Sequence, residues 1–181
     1  MKYLCLIHKR PELSHKAFQD YYEHCHAPLA QTFSPPTLYQ RNYPLTEQDF
    51  SCITEFDYPD DYDLLAAFNS EAAPILAADE AEFIDRSRTI MARALPVLST
   101  EPARLAVRQR SFWLLKDALS EQALAALEGQ KVSVYSLEPC FCESFPYQML
   151  VLSETPNAEL PALASATQAL YLPMNSYPSL G

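Results

Sequence analysis

Two periodicities divide this chain: apolar residues alternate in some stretches and recur every three or four positions in others. Lys2 to His8 (KYLCLIH) is apolar on both faces, as expected for a strand covered on each side. Ser14 to Ala27 reads as a helix, with Phe18, Tyr21, Tyr22, Cys25 and then Leu29 at helical spacing. Ser14 serves as its N-cap, and Leu13 with Phe18 as a hydrophobic staple. His26 falls on the apolar face and His24 on the other side. Pro28 disfavours helical geometry at Ala27, which predicts that the helix stops or kinks there. Thr37 to Tyr43 alternates, with Leu38, Gln40 and Asn42 on one face and Tyr39, Arg41 and Tyr43 on the other. In Ser51 to Asp57, residues Ile53, Glu55 and Asp57 share a face. Helical spacing returns in YPDDYDLLAAFNS and again from Ala73 to about Phe83, and Thr89 to Leu95 reads as a fourth strand. This order, strand-helix-strand-strand-helix-strand, is that of a ferredoxin-like unit.

The same order returns after a polar, proline-containing stretch. Leu105 to Leu115 is an apolar, aromatic strand, and Ser120 to Glu128 a short helix capped by Ser120 and closed by Gly129. Lys131 to Leu137 and Tyr147 to Leu152 are strands, Leu160 to Ala166 a weak helix, and Ala169 to Met174 a last short strand. The predicted fold class is α+β: two tandem ferredoxin-like (β-α-β-β-α-β) halves packed as an α/β barrel. The first half is residues 1–96, the second a degenerate copy at 105–181, and 97–104 the linker. Residue-level similarity between the halves is poor, so two units that merely share an order remain the alternative.

Composition narrows the function classes. The chain has 181 residues, 49% of them apolar and 20% charged, which is enough for a packed core. A net charge of −10 argues against nucleic acid as a partner, because phosphate binding needs a basic face. No stretch has the ~18 consecutive apolar residues of a membrane span, and the N-terminal run is too short for a signal peptide. Five cysteines without framework spacing fit reduced thiols and a cytoplasmic location. The two glycines form no phosphate-cradling motif.

The run KRPELSHKAFQDYYEHCHAPLA resembles the EthD family of dimeric α/β-barrel proteins, through Leu13-Ser14, Phe18, Tyr22, His26 and Pro28-Leu29. The resemblance continues in Tyr39 and Asn42, in Glu55, and in DEAEFIDRSRT from Asp79 to Thr89. It covers the chain from the N-terminus to about Leu95. Tyr22 stands where the family commonly carries Trp, and nothing from residue 105 onward shows the motifs. The resemblance implies a pocket between sheet and helices for a small, flat, hydrophobic or aromatic molecule. It also implies chemistry of the decarboxylase, cyclase or oxygenase kind without metal or organic cofactor, although some related barrels bind haem. A fold does not name a reaction, so the site has to be argued from its residues.

His26 is the natural proton-transfer group, since imidazole alone titrates near neutrality. Glu55 is the second catalytic candidate, and Tyr22, Tyr39, Asn42 and His8 are candidates for binding substrate. Alternation places Tyr39 and Asn42 on opposite faces, so without a bulge only one of them lines a given cavity. Glu55 fits equally well as a buried carboxylate paired with Arg41 or Arg88. Asp85 and Arg86 read as braces of a helix-to-strand corner. Cys140-Phe141-Cys142 lacks a second ligand pair, and His8 and His26, which could flank one cavity, lack supporting groups, so no metal site is assigned. Arg108 and Arg110 share a face with Phe112 and could receive an acidic ligand, or form a solvated, ion-paired edge.

Two functions follow. One is a cofactor-free enzyme acting on an aromatic molecule through His26. The other is a non-catalytic binding or assembly protein in which His26, stacked on Tyr22, is a core residue. A barrel closed within the chain would suffice as a monomer, and an outer face could still form a homodimer.

Overall fold

The structure, a computed structural model, describes residues 1–33, 35–98, 109–163 and 169–180. Its eight strands are β1 (Lys2–Ile7), β2 (Leu38–Pro44), β3 (Cys52–Asp57), β4 (Ile90–Leu98), β5 (Gln109–Leu115), β6 (Val132–Cys140), β7 (Met149–Ser153) and β8 (Ala169–Leu180). They close into one antiparallel barrel in the order β1-β3-β2-β8-β5-β7-β6-β4. The first four strands lie side by side as β4-β1-β3-β2, and the last four as β8-β5-β7-β6. The two seams are β2 against β8 and β4 against β6. Every described strand therefore has a partner on each side, and no edge is left to template aggregation.

Alternation along the strands sorts side chains into two layers. Leu4, Leu6, Ile53, Ala92, Phe112 and Leu150 point into the barrel with others of their faces. Outside the first half, Cys5, Ile7, Tyr39, Tyr43 and Cys52 meet Phe18, Tyr22 and Phe83 from the covering helices. Outside the second half, Trp113, Val134 and Val151 meet Leu127 and Leu163.

The helices are α1 (His15–Tyr21), α2 (Ala27–Phe33), α3 (Leu64–Phe68), α4 (Ala73–Phe83) and α5 (Glu121–Leu127). Ser14 caps α1 as expected, its hydroxyl accepting from the Ala17 N–H at 3.1 Å. Ser120 does the same for α5, and Gly129, two residues past the helix end, takes the left-handed φ of 76°. The expected break at Ala27 does not occur. Tyr22–His26 forms a π turn in which the Ala27 N–H bonds the Tyr22 carbonyl, five residues back, and α2 continues through Pro28. Proline has no N–H to add to an α ladder, and the widened turn before it carries the helix past that gap. The extra residue shifts the helical phase, so Cys25, expected on the apolar face, is exposed, whereas His26 and Ala27 are buried.

Other differences lie at element ends. β8 is a strand of twelve residues rather than a short one, because its first part, Ala169 to Asn175, pairs with β5 and its last part, Met174 to Leu180, with β2. The helix expected over 160–166 is a single 3₁₀ turn, Pro161–Leu163, and 164–168 lie outside the described residues. β4 runs on to Leu98 through a bulge, taking in the first two residues of the expected linker. Residues 99–108, including Arg108, lie outside the described residues.

Candidate functional site

The π turn decides where His26 points. Its ring packs against those of Tyr22 and Phe83, with centroids 5.3 and 5.0 Å away in a three-ring cluster, and only 6% of the residue is exposed. Asp79, on α4, accepts from His26 Nδ1 at 2.6 Å through Oδ2, and from the Tyr21 hydroxyl at 2.9 Å through Oδ1. A carboxylate only accepts, so in the neutral ring this bond places the imidazole proton on Nδ1 and leaves the Nε2 lone pair available. No protein group among the described residues hydrogen-bonds Nε2.

His26 forms part of the wall of a cavity of about 900 Å³ between the outer face of the first four strands and the helices α2, α3 and α4. Tyr3, Cys5 and Ile7 from β1 and Tyr39 and Phe56 from β2 and β3 form the floor. Phe33, Phe68 and Phe141 line the helical side and the approach, and Glu80 and Arg86 add charge. The floor continues into a stack of rings. Tyr39 lies on Phe56 at 4.9 Å, Phe56 on Tyr58 at 6.3 Å, and Tyr58 on Tyr62 at 4.1 Å, each pair within 22° of parallel. A volume of this size, lined by aromatic carbon with a few convergent polar groups, is that of a small-molecule site.

Buried hydroxyls tie the floor to Tyr22, whose ring packs against His26. Tyr39 donates to the Tyr22 hydroxyl at 3.2 Å, and Tyr22 bonds Thr54 Oγ1 at 2.8 Å. Burial pushes both phenols well above their ordinary range, so they stay protonated and act as hydrogen-bonding groups only.

Of the six candidates, the structure brings together His26, Tyr22 and Tyr39 on the cavity wall. Glu55 and Asn42 lie on the opposite face of the same strands, inside the barrel. There Glu55 Oε1 accepts from Arg110 Nη1 and from Asn42 Nδ2, the latter at 3.0 Å, and Oε2 lies 3.3 Å from Lys2 Nζ. The partners expected for Glu55 were Arg41 or Arg88, but Arg41 instead forms a two-toothed pair with Glu23, and Arg88 reaches Asp49. Burial alone would raise the Glu55 carboxyl. Arg110 and Lys2 overcome it and hold the group down to about 2. This is the chemistry of a structural ion network. The reason is register: Leu4 faces Glu55 across the sheet, and Leu4 points inward.

His8 also stays away from the cavity wall. It is buried at the end of β1, 3.8 Å from Asp49, with Nδ1 lacking a hydrogen-bond partner among the described residues. Burial, with Arg88 nearby, lowers its pKa, so the ring is held neutral. Arg110, considered as a ligand receptor, is saturated by Glu55 and Glu154. Arg86, expected to brace a corner, lines the cavity and pairs with Glu80 at 3.3 Å. Among the described residues no cluster of three His, Cys, Asp or Glu side chains could hold a metal ion, and no helix is long and apolar enough to cross a membrane.

Sequence reasoning missed Asp79 as the partner of His26. The available signal was that Asp79 stands one helical turn before Phe83 and opens the last block of the family resemblance. It also missed Glu80 and the Phe56-Tyr58-Tyr62 wall, which joins a strand end to the turn after it.

Comparison with known proteins agrees with this geometry in one respect at the level of sequence. Residues 10–87 match the EthD domain, a span that holds His26, Asp79 and most of the cavity. Over that span the chain is similar to an EthD domain. No curated protein matches its sequence. Among solved structures, a Fusobacterium nucleatum protein provisionally described as a monooxygenase superposes with a TM-score of 0.52 at 8% identity, over 99% of this chain and 92% of its own. The siroheme decarboxylase NirDL superposes with a TM-score of 0.51 at 9% identity, over 96% of this chain and 70% of its own. NirDL has also been solved in complex with an iron-uroporphyrin III analogue. At such identities the likeness is one of fold.

Proposed function

We propose that the EthD-domain cavity binds a small, flat, hydrophobic or aromatic molecule, and that His26 moves a proton on it. The observation that carries this reading is the His26–Asp79 pair: Nδ1 is fixed by a carboxylate, and the ring stands in the wall of an aromatic-floored cavity. An imidazole held in one tautomer by an acid is a prepared general base, and proton transfer from a bound phenol or activated C–H needs no further group. The reaction type is that of a cofactor-independent decarboxylase, cyclase or oxygenase, with Tyr22 and Tyr39 shaping the floor. The NirDL complex, which holds a flat tetrapyrrole on a similar fold, is compatible with a planar ligand.

We also read the barrel as two tandem ferredoxin-like halves, 1–96 and 105–181 joined by 97–104, in a cytoplasmic protein. The repeated strand order, fourth-first-third-second, supports that reading. Closure within one chain means that a homodimer would use an outer surface rather than complete the barrel.

One observation favours a second reading, a binding protein without catalysis. His26 packs on Tyr22 and Phe83 as a core residue would. Native mass spectrometry of freshly purified protein separates the two. A bound small molecule at fixed stoichiometry is released and offered back to wild-type protein and to His26→Ala. Turnover that vanishes in the variant supports catalysis. Binding without turnover in either protein supports the second reading, and turnover retained by His26→Ala refutes the assignment of His26.

A further inference from the structure

Two acids line the cavity: Asp63, whose carboxylate caps α3, and Glu80, which the reading above does not use. Asp79 and Glu80 are neighbours on α4 and part company. Asp79 turns to His26 Nδ1 and Tyr21, whereas Glu80 stands in the wall of the cavity that His26 also lines. We propose that Glu80 is the second proton-carrying residue of this site, donating to the oxygen of a bound phenol or enol while His26 accepts a proton from the same molecule. The inference rests on the aromatic-pocket reading above and specifies its chemistry: the preferred ligand carries a hydroxyl or carbonyl oxygen on its ring, presented to two groups of complementary role.

The charged surroundings of Glu80 come from several elements. His26 approaches from the π turn, Asp79 lies beside it on α4, Arg86 follows in the next loop, and the Cys5 thiol lies on the β1 floor beneath it. Burial of the carboxyl is the largest effect and raises its pKa. His26 and Arg86 oppose it, and Asp79 adds to it. Arg86 is more than half exposed and 3.3 Å away, so water screens its pull on Glu80. Glu80 therefore keeps its proton to higher pH than an ordinary glutamate. Asp79 cannot take this role, because both of its oxygens are engaged. The division of labour, one carboxylate orienting the base and its neighbour carrying a proton, follows from two environments on one helix turn.

In the transfer itself the bookkeeping is simple. The ligand's O–H or adjacent C–H bond breaks, its proton goes to His26 Nε2, and the electron pair stays on the ligand. The Glu80 O–H hydrogen-bonds the oxygen where that charge collects, and transfers its proton there when an enol forms. No electron leaves the ligand and no other reactant is needed.

The test uses 2-naphthol, a flat two-ring phenol whose own fluorescence reports binding, with wild-type protein and Glu80→Gln titrated across mildly acidic to mildly alkaline pH. Gln cannot ionise, and ionisation of the probe is common to both proteins, so their affinity ratio isolates Glu80. The expected result is a ratio that falls about tenfold as pH rises through the ionisation of Glu80, since the wild type exchanges a donor for a repelling carboxylate. Glu80→Ala, read the same way and checked by thermal melting, should bind more weakly than the wild type at acidic pH and lack that fall. Equal affinities with one pH profile in all three proteins would overturn the role of Glu80 and leave the aromatic pocket standing. Absence of saturable binding in the wild type would overturn the pocket reading and this inference with it.

Discussion

Replacement of Glu55 by Gln tests the claim that this glutamate holds the barrel rather than the chemistry. Glu55 is 1% exposed and receives Arg110 from the second half together with Asn42 and Lys2 from the first. In the variant Arg110 keeps Glu154, at 2.8 Å, and Lys2 keeps Asp57, at 2.6 Å, so the loss is smaller than for two orphaned cations. The carboxyl is held at about 2 against an ordinary 4.5, which corresponds to about 3 kcal/mol. That sits at the lower end of the ~3–5 kcal/mol for breaking a buried pair. The sign follows from a depressed pKa. The stabilisation is full above pH 4.5 and is lost as pH falls towards 2. Urea unfolding followed through the single tryptophan, Trp113, which is buried on β5, reads the difference directly. Glu55→Gln should be about 3 kcal/mol less stable than wild type at pH 7, and the gap should shrink below pH 4.5. A gap under about 1 kcal/mol at pH 7, or one that persists at pH 2, would refute the reasoning.

Other expectations are local. Ser14→Ala removes the α1 cap and should cost about 1 kcal/mol by chemical denaturation. Gly129→Ala meets no atom within 4 Å, so only its φ of 76° matters, and the cost should be about 1 kcal/mol. A much larger loss would mean that the site is packed. Asp79→Asn should lower stability by about 1–2 kcal/mol, and imidazole NMR should show His26 no longer confined to the Nδ1–H tautomer. A spectrum identical to wild type would mean that the carboxylate does not set the ring.

Much of the fold was legible because strand alternation and helix caps are local. Ser14, Ser120 and Gly129 each act where their chemistry says they should. The split of Tyr39 and Asn42 between faces was also readable, since a strand has period two. Which face became the cavity was not. That depends on barrel closure, which puts Glu55 and Asn42 inside with Arg110, a residue 55 positions away from Glu55. The π turn was hidden for a different reason. Pro28 signals a break, and whether a helix ends or widens there depends on tertiary contacts such as the packing of His26 against Tyr22 and Phe83. Asp79 and Glu80 illustrate the same limit: adjacent acids look alike until a neighbouring helix chooses between them.

The central claim is that His26 offers Nε2 to a molecule in the aromatic cavity. Long-range ¹H–¹⁵N correlation spectra of the His26 ring, recorded with and without saturating 2-naphthol, test it most directly. The account predicts a proton on Nδ1, a bare Nε2, and an Nε2 resonance that moves when the probe binds. A proton on Nε2 in the free protein, or an unmoved Nε2 resonance with the probe fully bound, would contradict it.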